Sequence, residues 1–186
     1  MQTKRNSLSL LSWRNRREGR AEVAYLGTDY YGYQIQPGVP TIEGKLLKVL
    51  RDTGALKNPS KARYAAAGRT DRGVHALGQV IAFDTESAEA AKPGTINSGL
   101  HQIWVYAWAE VGRDFNARTS ALPREYRYVF WGKGLDMEKM KDAASIFPGT
   151  HDFRNFADEE REKSTLCDIK TISILNDIWA LKKSLK

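Results

Sequence analysis

The chain has 186 residues, of which 41% are hydrophobic and 10% aromatic, enough to form a packed core and to exclude global disorder. Its 29 basic residues exceed its 22 acidic residues, and the net charge of +7 favours a polyanionic partner. No apolar run approaches the roughly 18 to 20 residues of a membrane span. The single cysteine, Cys167, excludes an internal disulfide and a multi-cysteine zinc site, and leads us to expect a cytoplasmic protein.

The basic residues are concentrated at the amino terminus. Residues 1–20 contain one acidic residue, Glu18, and six basic ones, which gives a local net charge of +5: Lys4, Arg5, Arg14, Arg16, Arg17 and Arg20. We expect residues 1–20 to form a disordered basic extension that helps to hold RNA. A targeting leader and a start-site artefact are the alternatives, whereas the short apolar stretch within this segment excludes a secretory signal.

The folded part is expected to start at Ala21, with a short strand that includes Val23 and Tyr25 and stops at a Gly-Thr-Asp turn. An aromatic and amide-rich loop follows over residues 30–37. Thr41 is the expected N-cap of the first helix. Behind it, apolar residues recur at i, i+4, i+7 and i+8, the spacing of one buried helix face: Ile42, Leu46, Val49 and Leu50.

The rest of the chain mixes strands with single helices. A loop bounded by glycines comes first, over residues 65–76. The elements expected after it are strand 80–83, helix 95–102, strand 105–111, strand 124–131, a helix over residues 137–147 capped by Asp136, and strand 169–178. Because strands and helices do not alternate as regular βα repeats, the pattern predicts an α+β fold with a largely antiparallel sheet.

Asp71 is the carboxylate best suited to chemistry. It stands between Arg69 and Arg72 in a loop bounded by Gly68 and Gly73. Two nearby guanidinium groups favour an ionised carboxylate, which a nucleophile or a general base requires at neutral pH. The alternative is a solvated turn whose charges pair with one another on the surface.

Aromatic residues recur at every second position of the predicted strand 124–131, at Tyr126, Tyr128 and Phe130. This alternation is typical of a strand with one face on the core. The alternative is that Tyr126 offers its ring to a nucleobase, as aromatic side chains do in RNA-binding sites.

Metal chemistry is not predicted. His75, His101 and His151 stand far apart in the sequence and form no ligand pattern with cysteine or carboxylate pairs. Cys167 is expected to be a small buried hydrophobic residue. The sequence also lacks a phosphate-binding or dinucleotide-binding glycine motif, and we predict neither a metal nor a cofactor.

Residues 67–76, Ala-Gly-Arg-Thr-Asp-Arg-Gly-Val-His-Ala, closely resemble the signature loop of the TruA family of tRNA pseudouridine synthases. Five further segments resemble other motifs of that family and stand in the family's order: 25–34, 41–44, 114–118, 126–128 and 149–157. The resemblance extends over about residues 21–174.

The resemblance implies roles for the matched polar residues. Asp71 is similar to the family's catalytic aspartate, Arg69 to the arginine that pairs with it and assists extrusion of the target base, and Tyr126 to the tyrosine packed against that base. Three more residues of these motifs are expected to bind substrate: Arg72, His75 and Gln34.

The resemblance also implies an activity, the isomerisation of uridine to pseudouridine in the anticodon stem-loop region of tRNA, without a cofactor. It implies tRNA as the partner and assembly as a homodimer, while the lack of a long apolar run leads us to expect no membrane association. The implied fold is that of a pseudouridine synthase, in which helices cover one face of the sheet.

Three segments follow from this comparison: the extension 1–20, an N-terminal half 21–119 with the catalytic loop, and a partial C-terminal half 120–186. Family members normally continue with a helix that carries another active-site arginine, and no such segment precedes Lys186, so we expect an incomplete second half. In addition, residue 35 is isoleucine where the family commonly has a basic residue. The alternative function is a truncated, non-catalytic tRNA-binding member, and a metal-free hydrolase with Asp71 as base is a weaker alternative.

Overall fold

The computed structural model describes residues 17–121, 123–156 and 164–175 of the chain. In chain order the elements are β1 (Arg17–Tyr25), α1 (Ile42–Asp52), a 3-10 helix (Pro59–Lys61), β2 (Ala65–Ala66), β3 (Ala76–Thr85), α2 (Pro93–Asn97), β4 (Ile103–Glu110), α3 (Met137–Ala144), β5 (Gly149–Asp152), a second 3-10 helix (Arg154–Phe156) and β6 (Leu166–Ile169). They divide into two compact units between Glu125 and Tyr126.

The first unit is built on a four-stranded antiparallel sheet in the order β2-β3-β1-β4. The interior strand β1 places Ala21 opposite both Ile81 of β3 and Trp108 of β4. The predicted α+β class and the antiparallel sheet are therefore confirmed. Within the described parts of the chain, no helix has the length and apolarity needed to cross a bilayer.

β1 begins at Arg17, four residues before the expected start of the fold at Ala21. Glu18 explains the difference, because its side chain is only 5% exposed and lies directly opposite Asp84 of β3. A buried carboxylate needs a partner, and the partner comes from a distant part of the chain. The first 16 residues of the predicted extension lie outside the described residues.

Arg63 bridges this pair of facing carboxylates. Its Nη2 donates to Glu18 Oε2 at 2.8 Å and to Asp84 Oδ1 at 2.7 Å, while its Nε donates to Asp84 Oδ2 at 3.1 Å. These hydrogen bonds, foremost those to Asp84, raise the pKa of the Arg63 guanidinium above its ordinary value. Like charges directly opposite each other destabilise a strand pair, so Arg63 is what allows β1 and β3 to remain paired at this end.

The core lies between one face of the sheet and the helices. Thr41 caps α1 as predicted, with its Oγ1 accepting from the Gly44 amide at 3.3 Å. The four predicted apolar residues of α1 are all buried. They join one cluster with side chains from every long strand and from α2, including Val23, Tyr25, Ile81, Phe83, Ile96, Ile103 and Val105.

α2 is shorter than the predicted helix 95–102 and ends at Asn97. The Asn97 side chain explains this end, because its Nδ2 donates to the Val105 carbonyl and its Oδ1 accepts from the Val105 amide, both at 2.8 Å. The Asn97 side-chain amide thus pairs with the Val105 backbone as a residue of a neighbouring strand would. The helix ends there, and the chain continues toward β4.

Gly19 and Trp108 pack closely across β1 and β4. A Cβ atom at Gly19 would lie 2.5 Å from Nε1 of Trp108, far inside van der Waals contact. The Trp108 Nε1 is itself buried and has no hydrogen-bond partner among the described residues. Glycine is therefore required at this strand position because the indole ring occupies the space of a side chain.

The second unit contains α3 and the two-stranded antiparallel sheet of β5 and β6. Asp136 caps α3 as predicted, with its Oδ1 accepting from the amides of Glu138 and Lys139, both at 3.1 Å. Phe147 and Phe153 stack with ring centroids 6.2 Å apart. None of the unit's described residues, 126–156 and 164–175, is buried.

Two predictions made for this part of the chain are wrong. Residues 124–131 form no strand, and the side chains on both of its supposed faces are exposed, Tyr126 by 79% and Val129 by 60%. Cys167 is exposed rather than buried. Its strand β6 pairs with β5, and no described residue of the unit forms a buried layer over that sheet. β6 ends at Ile169, and residues 176–178 of the predicted last strand lie outside the described residues.

Candidate active site

The loop that carries Asp71 connects β2 to β3. Its tip is a turn in which the Val74 amide donates to the Asp71 carbonyl at 3.2 Å. Gly73 has φ +79°, the left-handed value that a type II turn requires at its third residue. The side chains of Arg69, Asp71 and Arg72 are all exposed at this tip.

Thr70, the residue before Asp71, is fixed from two sides. The Tyr25 hydroxyl forms a hydrogen bond with Thr70 Oγ1 at 2.8 Å, and the Tyr33 amide donates to the Thr70 carbonyl at 2.9 Å. Gly32 lies directly below, since a Cβ there would be 3.1 Å from the Thr70 carbonyl oxygen. The backbone at Asp71 is therefore placed by the end of β1 and by the aromatic loop.

Tyr33, which holds Thr70 through its amide and is buried, pairs through its side chain with the partly buried Tyr64. The hydroxyls of Tyr33 and Tyr64 are 2.6 Å apart, and the Tyr25 ring lies 6.2 Å from the Tyr33 ring. Burial raises the pKa of both Tyr33 and Tyr64 above the ordinary tyrosine value, so both hydroxyls stay protonated at neutral pH. The two hydroxyls therefore form a neutral hydrogen-bonded pair.

The start of the loop is fixed by two side chains that sequence reasoning missed. Gln79 of β3 accepts from the Gly68 amide at 3.2 Å and donates to the Gly68 carbonyl at 2.7 Å. Arg124 donates through Nη2 to the Ala67 carbonyl at 2.6 Å. The sequence does contain one signal for Gln79, namely a polar residue next to the apolar run 80–83, at a position that proves to be buried.

The end of the loop is held by Gly27. Its amide donates to Nδ1 of His75 at 3.2 Å, which places the proton of a neutral imidazole on Nε2. A Cβ at Gly27 would lie 2.1 Å from the Val74 carbonyl oxygen, so only glycine fits there. His75 thus anchors the loop, and its role in substrate binding stays a prediction.

Arg72 and Arg69 differ in their surroundings. The Arg72 guanidinium carbon lies 4.1 Å from the centroid of the Tyr31 ring. Among the described residues, no salt bridge joins Asp71 to Arg69 or to Arg72. The pairing that the resemblance implies, between Arg69 and Asp71, is therefore not formed between these described residues: the Arg69 side chain is exposed, and the Arg72 side chain is stacked on Tyr31.

The structure brings most of the predicted site residues into one neighbourhood. Gln34 is exposed and directly follows Tyr33, whose amide holds the loop, so it lies beside the segment that carries Asp71. Tyr126 belongs to the second unit, where its ring is exposed.

The described residues hold no group of three or more His, Cys, Asp or Glu side chains arranged to bind a metal. The groups available for chemistry at this site are the exposed carboxylate of Asp71 and the guanidinium groups of Arg69 and Arg72, on a backbone held by hydrogen bonds.

Comparison with known proteins assigns the chain to a family. No protein-family model matches it. Among curated proteins, tRNA pseudouridine synthase A of Methanosarcina mazei is 51% identical over 157 residues, which cover 84% of this chain and 58% of the relative. The Methanosarcina barkeri protein of the same name is 51% identical over 152 residues, 81% of this chain and 56% of the relative.

The chain belongs to the TruA family. A more distant TruA protein, tRNA pseudouridine synthase A of Thermococcus sibiricus, is 42% identical over 155 residues, 83% of this chain and 58% of the relative. The resemblance that the loop motifs imply is thus confirmed over most of the chain. This TruA chain spans rather more than half the length of the curated relatives that it matches.

Proposed function

We propose that this TruA chain converts uridine to pseudouridine in the anticodon stem-loop region of tRNA, with Asp71 as the catalytic carboxylate. The proposal rests mainly on the fixed loop. Asp71 is exposed, while Thr70 before it is hydrogen-bonded through Oγ1 to the Tyr25 hydroxyl and through its carbonyl to the Tyr33 amide. Preorganised placement of a reactive group is what an enzyme needs and a solvated surface turn lacks. The name of the 51% identical relatives, tRNA pseudouridine synthase A, supports pseudouridine formation in tRNA.

The reaction is an isomerisation in which atoms and electrons balance within the nucleotide. The bond between N1 of uracil and C1′ of the ribose breaks, the base turns, and a bond forms between C5 and C1′. The proton leaves C5 and N1 gains one. The net change consumes no oxidant, reductant or group donor, so residues that attack, position and move protons are sufficient.

Asp71 serves this reaction as an ionised carboxylate. One route is covalent attack of an Asp71 oxygen on C1′ as the base departs, and the other is removal of a sugar proton to form a glycal. Both routes need the carboxylate ionised and within reach of the ribose. The exposed side chain of Asp71 is accessible to a bound nucleotide, which supports either role.

Access to these atoms requires extrusion of the nucleotide from its stack, at a cost of a few kcal/mol. In the proposal, Arg69 enters the space that the base leaves, and its exposed side chain suits that task. Tyr126 packs against the extruded base, for which an exposed ring is a requirement. Gln34 and His75 contact the RNA around the loop.

The proposal extends to the surroundings of the reaction. tRNA is a polyanion, and the net charge of +7 supports its binding through phosphate contacts. A cytoplasmic setting and a homodimeric assembly are further parts of the proposal. Sedimentation of the purified chain at several concentrations tests the assembly, and a mass that stays at one copy contradicts it.

The test is direct. This chain, and a fusion that adds the part of the Methanosarcina mazei relative outside the match, are incubated with unmodified tRNA, and pseudouridine is measured by mass spectrometry of the digested RNA. The proposal predicts pseudouridine in the anticodon stem-loop region with at least one of the two proteins. If both bind tRNA and neither forms pseudouridine, the non-catalytic tRNA-binding alternative replaces it.

A further inference from the structure

Arg72 and Tyr31 form a stacked pair at the tip of the candidate active-site loop. The guanidinium carbon lies 4.1 Å from the ring centroid, a distance typical of a cation–π contact. Arg72 is exposed, and Tyr31 is 40% exposed. Tyr31 lies outside the residues to which a role is assigned above, and Arg72 is the immediate neighbour of Asp71.

We propose that Tyr31 is a positioning residue that holds the Arg72 guanidinium in place to bind a phosphate of the RNA backbone next to the target uridine. An arginine that stacks through its planar face keeps its edge N–H groups free to form a forked contact with phosphate oxygens. Among the described residues, no carboxylate forms a salt bridge with Arg72, although Asp71 precedes it in the chain. The positive charge is therefore available to an anion.

The Tyr31 ring is a firm support because its backbone is fixed at both ends. Its amide donates to the Pro40 carbonyl at 2.9 Å, and its carbonyl accepts from Nε2 of Gln36 at 2.8 Å. These contacts close the segment from residue 31 to residue 40 into a loop. The ring consequently limits the positions that a long, flexible arginine side chain would otherwise sample.

The two loops are also joined through their backbones. A Cβ at Gly32 would be 3.4 Å from the Arg72 amide nitrogen, and the Tyr33 amide donates to the Thr70 carbonyl at 2.9 Å. The spacing between the ring and the guanidinium is thus set by packed backbone rather than by a chance meeting of surface side chains. A phosphate bound by Arg72 would lie close to the reacting ribose, since Asp71 is the adjacent residue.

This inference rests on the proposed function, and the test separates the two. The affinity for unmodified tRNA is measured over a series of salt concentrations for the parent chain and for Tyr31→Phe, Tyr31→Leu, Arg72→Lys and Arg72→Ala. Lys48→Ala, which removes an exposed positive charge on α1, is the matched control. Unfolding by urea shows whether each variant is folded.

Arg72→Ala is expected to reduce the slope of log affinity against log salt by about one, the effect of one lost phosphate contact. Tyr31→Leu is expected to weaken binding by roughly two- to five-fold, the range of an exposed cation–π contact, while Tyr31→Phe keeps the parent affinity. Tyr31→Leu should cause no further loss in the Arg72→Ala background. In the free protein, the NMR signal of the Arg72 Nε–H should shift in Tyr31→Leu and not in Tyr31→Phe.

If Tyr31→Leu fails to fold, Arg72→Lys still tests the inference. Its ammonium group keeps the charge but loses the planar stacking on Tyr31 and the forked contact with phosphate. It is expected to keep the salt slope of the parent, and to bind more weakly than the parent but less weakly than Arg72→Ala. Provided that the parent binds tRNA, either of two results overturns this inference and leaves the proposed function standing. One is an Arg72→Lys variant with parent affinity. The other is a loss of affinity in Tyr31→Leu that is equally large in the Arg72→Ala background. If neither the parent chain nor its fusion with the remainder of the relative binds tRNA, both proposals are overturned.

Discussion

The hydroxyl oxygen of Tyr25 lies 2.8 Å from Oγ1 of Thr70, which joins the last residue of β1 to the residue before Asp71. Tyr25 is only 1% exposed, so its ring is fixed by the core, and its hydroxyl reaches the loop. The position of the candidate catalytic carboxylate is thereby set by core packing as well as by the loop's own glycines.

Replacing Tyr25 by Phe tests this connection. The ring stays and the hydrogen bond is lost, so we expect stability to fall by about 1 kcal/mol. Turnover should fall more than tRNA affinity does, because the loop backbone at Asp71 becomes less well placed. Tyr64→Phe is the matched control, since it removes a hydroxyl that pairs with Tyr33 and leaves Thr70 untouched. Equal effects of the two substitutions on turnover would contradict the specific role of Tyr25.

Arg63 should be the most sensitive surface residue for stability. Arg63→Met leaves the buried carboxylates of Glu18 and Asp84 facing each other across two strands, with side-chain exposures of 5% and 8%. We expect a loss of about 3 kcal/mol, the lower end of the cost of breaking a buried ion pair, because Arg63 itself is half exposed. Lys57→Met, which breaks an exposed pair with Glu86, should change stability by less than about 1 kcal/mol. Urea unfolding compares them, and similar losses would show that the Arg63 network is ordinary surface pairing.

Asp152 gives the second unit a dependence on acid. Hydrogen bonds from Arg154, and then from Thr165, lower the pKa of Asp152 to about 2. Because this pKa lies below the unfolded value of about 3.9, the contribution of the carboxylate to stability is complete above about pH 4 and is lost as the pH falls toward 2. Backbone NMR signals of β5 and β6 should therefore change over this range in the parent. In Asp152→Asn the change should be absent, and a parent without it would contradict the assignment.

Tyr126 is exposed, so its replacement should spare the fold. Tyr126→Ala is expected to unfold at the parent's urea concentration and to bind or convert tRNA less well, since base–aromatic stacking contributes about 1 to 3 kcal/mol. Tyr126→Phe should retain the stacking. Tyr128→Ala removes another exposed ring two residues away and serves as the control. Full activity of Tyr126→Ala would show that this ring does not stack on the extruded nucleobase.

Local signals in the sequence predicted the features that depend on neighbouring residues. The Thr41 cap and the buried face of α1 follow from a cap residue and from helical spacing, both of which act within one element. The strand predicted over residues 124–131 was wrong because alternation shows which side chains share a face and not whether anything packs on that face. Cys167 was misplaced for the same reason, since burial depends on a covering layer that a pattern of residue types does not reveal.

In the candidate site, too, the sequence predicted what depends on neighbouring residues and not what depends on distant ones. The composition of residues 67–76 was enough to select Asp71, whereas the contacts that fix the loop join residues that are distant in sequence. Tyr25 and Thr70 are 45 residues apart, and Arg124 and Ala67 are 57 apart. Such contacts depend on strand register and on where each loop turns, and these follow from the packing of the whole unit. The early start of β1 at Arg17 likewise depends on Arg63, far along the chain.

The central claim is that Asp71 supplies a carboxylate to the reaction, and Asp71→Asn tests it most directly. Asparagine keeps the size and much of the hydrogen bonding but cannot act as a charged nucleophile or base. In the form that converts tRNA, this chain or its fusion with the remainder of the relative, Asp71→Asn should fold, bind tRNA with parent affinity and form no detectable pseudouridine. Asp29→Asn, at an exposed carboxylate that accepts from Gln102, should keep parent turnover. Pseudouridine formation by Asp71→Asn at the rate of the parent would contradict the account.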